Sequence, residues 1–599
     1  MIYHCEDHTC NYWDEGEKLP ERCPQCGRKL LRANEADMTG DDWTALGNTL
    51  WDAEASDKKR MVDCFRKAAY LGSAWGVCNL GICMEQGNGV EADPVQAFWL
   101  YQQAVEMGSL NAVCCLGVCY QYGIGTAPDA KQAAELYCKA AEYGSPRGQM
   151  LLARAFHDGI GVEADAAEAV YWVRAAAYQR YGEGMYRLGV CYEYGDGVEQ
   201  NWERAVHWFR EAAESGVSVA MADLGYCYEK GCGVEQSWEQ AFSWYRRGAE
   251  CGYPVSMSNL GLCYQMGYGV EQNWQEAIKW YEQGAQCGDL QSMHNLACCY
   301  ERGEGVEQNE ERALYWYRRS AEGGNGDAMC NLGRCYERGY GVEQNWQEAV
   351  KWYEQGAQCG NLQSMHNLAC CYEHGEGVEQ NMTEAIRWYT AAAEGGNADD
   401  MYELGWQYDH GEGVEQDMKK AICWYERAAE QNHPAAMNSL GECYAMGRGV
   451  PRDLETAMEW YRRAAELGEA MADYNMGWHL EQAGKLSEAY AHYRKAADGN
   501  DDSAWWALGR FYENGVVVAQ DGKEARRCYE TGEKLGSVKC KMRLARCKLL
   551  GIGGRRAKKA GLDLCRQALE LAKESSEKED YGYEAEMNLL RRTIAENES

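Results

Sequence analysis

Proline is scarce in this chain, at eight residues in 599. Proline removes a backbone donor and clashes with the preceding helical turn, so its scarcity leaves room for a chain made mostly of helix. No apolar run approaches the roughly 20 residues a membrane-spanning helix needs, and no membrane association is expected. Met1 to Cys10 lacks a basic segment followed by an apolar one, so no secretory leader is read there. Basic charge is in deficit: 60 Lys and Arg stand against 93 Asp and Glu, for a formal charge of −33. Such a surface repels phosphates, which argues against nucleic acid and favours a basic protein or peptide as partner. Catalytic signatures are missing too, with no HExxH, no nucleophile elbow and no phosphate loop. Neither an enzyme nor a small-molecule substrate is expected.

What the chain has in abundance is repetition. Gly269 to Asn309 returns as Gly341 to Asn381 with three changes, at Ile278/Val350, Asp289/Asn361 and Arg302/His374. The shift of 72 residues is two copies of a 36-residue unit. From Leu80-Gly81 to Met476-Gly477 an apolar residue precedes glycine or alanine at every 36th position, twelve times without a slip. Looser copies at Leu46-Gly47, Leu508-Gly509 and Leu544-Ala545 bring the total to about fifteen units. Such units pack only on their neighbours, so a long chain need not split into globular domains.

Each unit reads as two helices. Met293, Leu296, Ala297 and Tyr300 fall at i, i+3, i+4 and i+7, the apolar face of a first helix. Glycine in most copies of the Ala297 column points to close approach by a neighbour. Gly303 suits the left-handed residue that closes a helix, and Val306 is placed to fold back onto the core. Asn273 with Glu276 forms a plausible N-cap with a returning carboxylate. Ala277, Trp280, Tyr281, Gly284 and Ala285 then supply the buried face of a second helix. The tryptophan column from Trp208 to Trp460 reads as core.

Cysteines number 30, which invites a disulfide reading. Nine of them, from Cys83 to Cys443, share one column. Equivalent positions on stacked helices lie about 10 Å apart, beyond the roughly 7 Å that a disulfide spans. They read as buried thiols of a reducing, cytoplasmic compartment. Cys5, Cys10, Cys23 and Cys26 are different: their C-x4-C-x12-C-x2-C spacing suits a tetrahedral structural zinc, with His8 as an alternative to Cys10. So short a segment would draw its folding free energy from the metal. It resembles zinc ribbons. Near the other end, Lys534 to Lys559 holds ten Lys or Arg and no acid, read as an anion-, nucleic-acid- or self-binding patch or as a solvated cap. His374 and His410 share a column, as do His294 and His366, and no catalytic or metal pair is expected from them.

Leu-Gly-x-Cys-Tyr, Gly-x-Gly-Val, then Ala, Trp-Tyr and paired alanines resemble the Sel-1-like repeat, a relative of the tetratricopeptide repeat, over Asp41 to Gly554. The resemblance implies an all-α fold, a right-handed αα superhelix, and a role as adaptor or scaffold. Secreted relatives carry a regular disulfide between adjoining helices; the cysteine column here lies elsewhere in the unit, so neither that bridge nor their location is carried over. The expected organisation is a zinc ribbon over 1–32, a linker over 33–42, the solenoid over 43–554 and a capping region over 555–599. In such a superhelix the first helices line the concave side. Asn259, Asn295, Asn331 and Asn367 stack there in one column, with Arg302 and Arg338 nearby, as a candidate peptide-binding groove. A metal- or redox-responsive module and a weak hydrolase are the alternatives carried forward.

Overall fold

The computed structural model describes residues 2–5, 13–15, 30–33, 38–51, 55–578 and 584–598. Strands β1 (Ile2–Cys5), β2 (Trp13–Glu15) and β3 (Leu30–Ala33) form a small antiparallel sheet in the order β2-β1-β3. Ile2 sits opposite both Glu15 and Ala33. Of the four cysteines expected to hold zinc, Cys5 ends β1, while Cys10, Cys23 and Cys26 lie outside the described residues.

From Gly40 onward all regular structure among the described residues is helix. In sequence order a first helix (A) and a second (B) alternate through fifteen pairs, and a last helix, Glu584–Glu598, follows. The chain forms two compact units, Met1–Asn309 and Glu310–Ser599. The first holds seven A–B hairpins, from Gly40–Thr49 with Ala55–Tyr70 to Pro254–Met266 with Trp274–Gln286, and then the A helix Leu290–Arg302. The second opens on the B helix Glu310–Glu322 and continues through seven hairpins, of which the last pairs Val538–Leu550 with Lys558–Lys578. The stack of hairpins therefore runs past residue 554.

The repeated motifs explain each junction. Helix A closes on a glycine with positive φ, such as Gly267 at 77°. Two residues on, Gly269 also has positive φ, at 69°, and a side chain there would run into the Trp238 carbonyl of the preceding repeat. The Gln of Gly-x-Gly-Val-Glu-Gln returns to cap the same helix: Gln272 Nε2 donates to the Gln265 carbonyl at 2.7 Å, and Gln380 to that of Glu373 at 2.8 Å. These carbonyls lie in the last turn, which has no partners of its own. Helix B starts at an Asx or Ser cap; Asn273 accepts from the amides of Gln275 and Glu276. The expected return by the Glu276 carboxylate gives way to an ion pair with Lys279 at 3.1 Å.

The core of most hairpins is a tyrosine. Tyr245, Tyr281, Tyr353 and Tyr425 are fully buried on B helices, and the glycine column exists to admit them. A Cβ on Gly225 would stand 2.5 Å from the Tyr245 ring. Each hydroxyl bonds to the A helix 16 residues earlier, as in Tyr101 to Glu85 at 2.6 Å and Tyr281 to Gln265 at 2.7 Å. The tryptophan beside each tyrosine is mostly half-buried rather than core. Adjacent helix positions point about 100° apart, so only one of two neighbouring rings faces inward. The Trp faces outward under a cation, with Arg427 over Trp424 at 4.3 Å and Arg463 over Trp460 at 4.5 Å. The cysteines from Cys64 to Cys565 are free thiols. Burial pushes those of the main column up, Cys83 to about 11 and Cys119 to about 12, so they stay neutral.

Candidate binding site on the A-helix face

The asparagine column lies half-buried along the A helices. In the first unit Asn295 accepts from Gln291 Nε2 at 2.9 Å. In the second, Asn367 accepts from Gln363 Nε2 at 3.1 Å and donates to Cys330 Sγ, one repeat back, at 3.5 Å. Asn259 and Asn331 occupy the same register. Much of the amide capacity of Asn295 and Asn367 is therefore met within the chain. Arg302 and Arg338 are exposed and stand 3.9 Å and 3.8 Å from Glu304 and Glu337. His374 and His410 do not meet as a pair; each ring bonds the carbonyl four residues back, at 3.0 Å and 2.9 Å.

The basic stretch is partly consumed inside the fold. Arg543 donates to Glu586 at 2.6 Å and Arg546 pairs with Glu513, while Arg556 donates to Asn597 at 2.5 Å. The bonds of Arg543 and Arg556 seat the last helix, Glu584–Glu598. Arg555, Lys558 and Lys559 remain exposed.

One opening is revealed by repeat register only when it is read for exceptions. Position 173 is the tyrosine column, yet it holds valine; Tyr137 precedes it by 36 residues and Phe209 follows by the same interval. Without the ring, a cavity of about 790 Å³ opens between the A helices Pro146–Asp158 and Gly182–Tyr194, over the B helix Ala166–Tyr178. A missing phenol accounts only for its floor, formed by Ala153, Ala169, Val170 and Val173; the rest is the space between the A helices. Met150, Leu151 and Val190 form apolar walls. His157, at the place where other repeats carry the tyrosine's acceptor, bridges Asp158 at 2.8 Å and Asp196 at 3.2 Å. That pairing, with Asp158 first, raises its pKa. Arg154 also binds Asp158, at 3.3 Å. Two further cations line the cavity: Arg147, which donates to Asn111 at 3.2 Å, and the exposed Arg187. Neither pairs with a carboxylate among the described residues.

Among the described residues no cluster of His, Cys, Asp or Glu has the makings of a metal centre, and no helix is long and apolar enough to cross a membrane.

Stacked two-helix repeats of this kind define an α-solenoid. Within that class the chain belongs to the Sel1 repeat family, whose pattern matches thirteen segments from 76–109 and 112–145 through 470–501 and 504–537. Repeat solenoids of this kind are typically used for protein–protein interaction. No curated protein matches the chain. Among solved structures it is similar to c5321, a protective antigen of uropathogenic Escherichia coli with an SLR fold, at 32% identity over 75% of this chain and 97% of that one, with a TM-score of 0.51. It is also similar to a Sel1 repeat protein from Oxalobacter formigenes, at 31% identity over 41% of this chain and 96% of that one, with a TM-score of 0.37.

Proposed function

We propose that the chain is a non-enzymatic scaffold that holds a protein or peptide against its A helices, with an apolar anchor of that partner seated over Val173. The observation that supports this most directly is the break in the tyrosine column: a core position filled by an aromatic in neighbouring repeats is left open beneath a pocket of about 790 Å³. That is the size of sites that take a small ligand, with an apolar floor for the anchor and charged groups at its rim. Arg147 and Arg187 would meet a carboxylate beside the anchor, while the acidic surface at large favours basic residues along the rest of the partner. Asn259, Asn295 and Arg302 in the first unit, and Asn331, Arg338 and Asn367 in the second, extend the binding face on this reading. Zinc held by Cys5, Cys10, Cys23 and Cys26 folds the N-terminal segment. The many free thiols accord with a reducing, cytoplasmic compartment.

The test is a pull-down under reducing conditions with the native chain, with Leu151→Glu at the pocket wall, and with Met1 to Arg32 removed. Capture retained by the truncated form and lost by Leu151→Glu is the expected result. Equal capture by Leu151→Glu removes the pocket from the proposal. Loss on truncation transfers recognition to the metal segment. Metal analysis of the two forms should find one zinc per native chain and none after truncation.

A further inference from the structure

Repeat register exposes a second exception, in the second unit. The column four residues before the Leu-Gly pair holds small residues throughout, from Gly76 to Cys540, with Ala328, Ser364 and Ala436 as its nearest members. Position 400 alone in that span is an aspartate, and Asp400 is completely buried. A carboxylate in such a core is costly unless a partner meets it. Its partner is His366 on the preceding A helix, Leu362–His374, whose Nδ1–H donates to Asp400 Oδ1 at 2.7 Å. The other carboxylate oxygen bonds nothing. Asp400 thus orients one ring, and the hydrogen bond to its carboxylate is the first cause that pushes His366 up to about 10, ahead of that to Cys370, making the ring a cation at neutral pH.

The opposite ring nitrogen, Nε2, faces Cys370 Sγ at 3.6 Å, one turn along the same helix. On the other side of the sulfur stands the Tyr389 hydroxyl, at 3.3 Å, which itself donates to Glu373 at 2.6 Å. Carboxylate, imidazolium and sulfur therefore stand in the order that activates a nucleophile: a cation beside the sulfur, which favours its thiolate, and a third group that holds that cation. Reactive thiols are marked by a neighbouring cation and partial access to solvent. Cys370 is half-buried, and the His366 side chain retains 30% exposure. In the duplicated segment the same pair occurs as His294 and Cys298, at 3.5 Å, while the residue 72 positions before Asp400 is Ala328.

We propose that Cys370 is a nucleophilic thiol that forms mixed disulfides with low-molecular-weight disulfides, with His366 as its proton partner and Asp400 as the positioning residue. Cys370 Sγ attacks one sulfur of R–S–S–R; the new Sγ–S bond forms as the old S–S bond breaks. The electron pair leaves on the departing sulfur. The departing sulfur takes the His366 Nε2 proton and leaves as R–SH, and the ring regains a proton from the Cys370 thiol, so the net transfer is of the thiol proton to R–SH. Cys370 is oxidised to the mixed disulfide and half of the small disulfide is reduced to thiol, so no further oxidant enters. The site is independent of the pocket over Val173, and neither reading rests on the other.

The experiment treats the reduced full-length chain with hydroxyethyl disulfide at pH 7, quenches with acid and maps each modified cysteine by peptide mass spectrometry. Cys370 should be converted about tenfold faster than the exposed Cys251, Cys287, Cys359 and Cys423. This ratio is internal to one molecule, so general loosening of the fold does not mimic it. His366→Gln should bring it to about one, and Asp400→Asn should lower it without touching the sulfur. A ratio near one in the native chain overturns the proposal whatever the variants do. An unchanged ratio in His366→Gln overturns it as well.

Discussion

Restoring the aromatic at position 173 tests how the pocket arises. In Val173→Tyr the new ring enters a column whose other tyrosines are buried beneath their A helices. The facing residue is Ala153 rather than the usual glycine, but the second unit carries the same combination at Ala369 and Tyr389. There the ring is buried and still reaches Glu373 at 2.6 Å, so alanine does not exclude it. A tyrosine in this place buries roughly 50–100 Å² more than valine, worth about 2 kcal/mol at ~25 cal/mol per Å². Freezing the larger side chain takes back about 0.5–1 kcal/mol. A net gain of about 1 kcal/mol remains, or roughly fivefold in the local opening equilibrium. Repeat arrays unfold by neighbouring units rather than all at once, so hydrogen exchange resolved by peptide is the fitting assay. Exchange should slow about fivefold across 166–178 and 182–194, with little change in the second unit. Partner capture should fall as the floor rises. Faster exchange in these helices would refute the reasoning, because it would mean that Val173 is already well packed.

Gly269→Ala should destabilise its hairpin by about 2 kcal/mol, since a side chain must adopt positive φ and meet the Trp238 carbonyl at once; thermal melting of the variant checks it. Arg543→Ala should leave Glu586 buried without its partner, at a cost of about 3 kcal/mol. Limited proteolysis should then cut before Glu584–Glu598 far sooner than in the native chain. The third concerns pH and His366, faced by Asp400, Cys370 and Glu403. Its folded pKa of about 10 lies above the unfolded value of about 6.5, so the stability it contributes is complete below the lower value. That stability is lost as pH rises through the higher one. Burial raises Asp400, a cost that opposes this contribution once the carboxyl ionises. Protection of 362–410 should therefore decline between pH 7 and 10, and His366→Gln should flatten that decline.

The sequence by itself determined the class of fold. A 36-residue period, glycines at two positions of most turns and Asx residues before most second helices specify helix, turn and helix with no long-range information, because caps and turns are set by neighbours a few residues apart. The buried thiol column and the alanines of the B helices were legible for the same reason: strict periodicity marks a face. The ranking of side chains within a face was not. Adjacent Trp and Tyr are both large and aromatic, and only packing against the glycine column decides that tyrosine goes inside while tryptophan lies half-buried under arginine. The asparagine ladder was visible as a column, but whether its amides point outward depends on bonds to residues a repeat away, as between Asn367 and Cys330. Val173 and Asp400 stood in the sequence as exceptions to their columns. What each exception does, opening a pocket in one case and aligning His366 with Cys370 in the other, was decided only when neighbouring helices came together, because both outcomes depend on side chains from adjoining repeats.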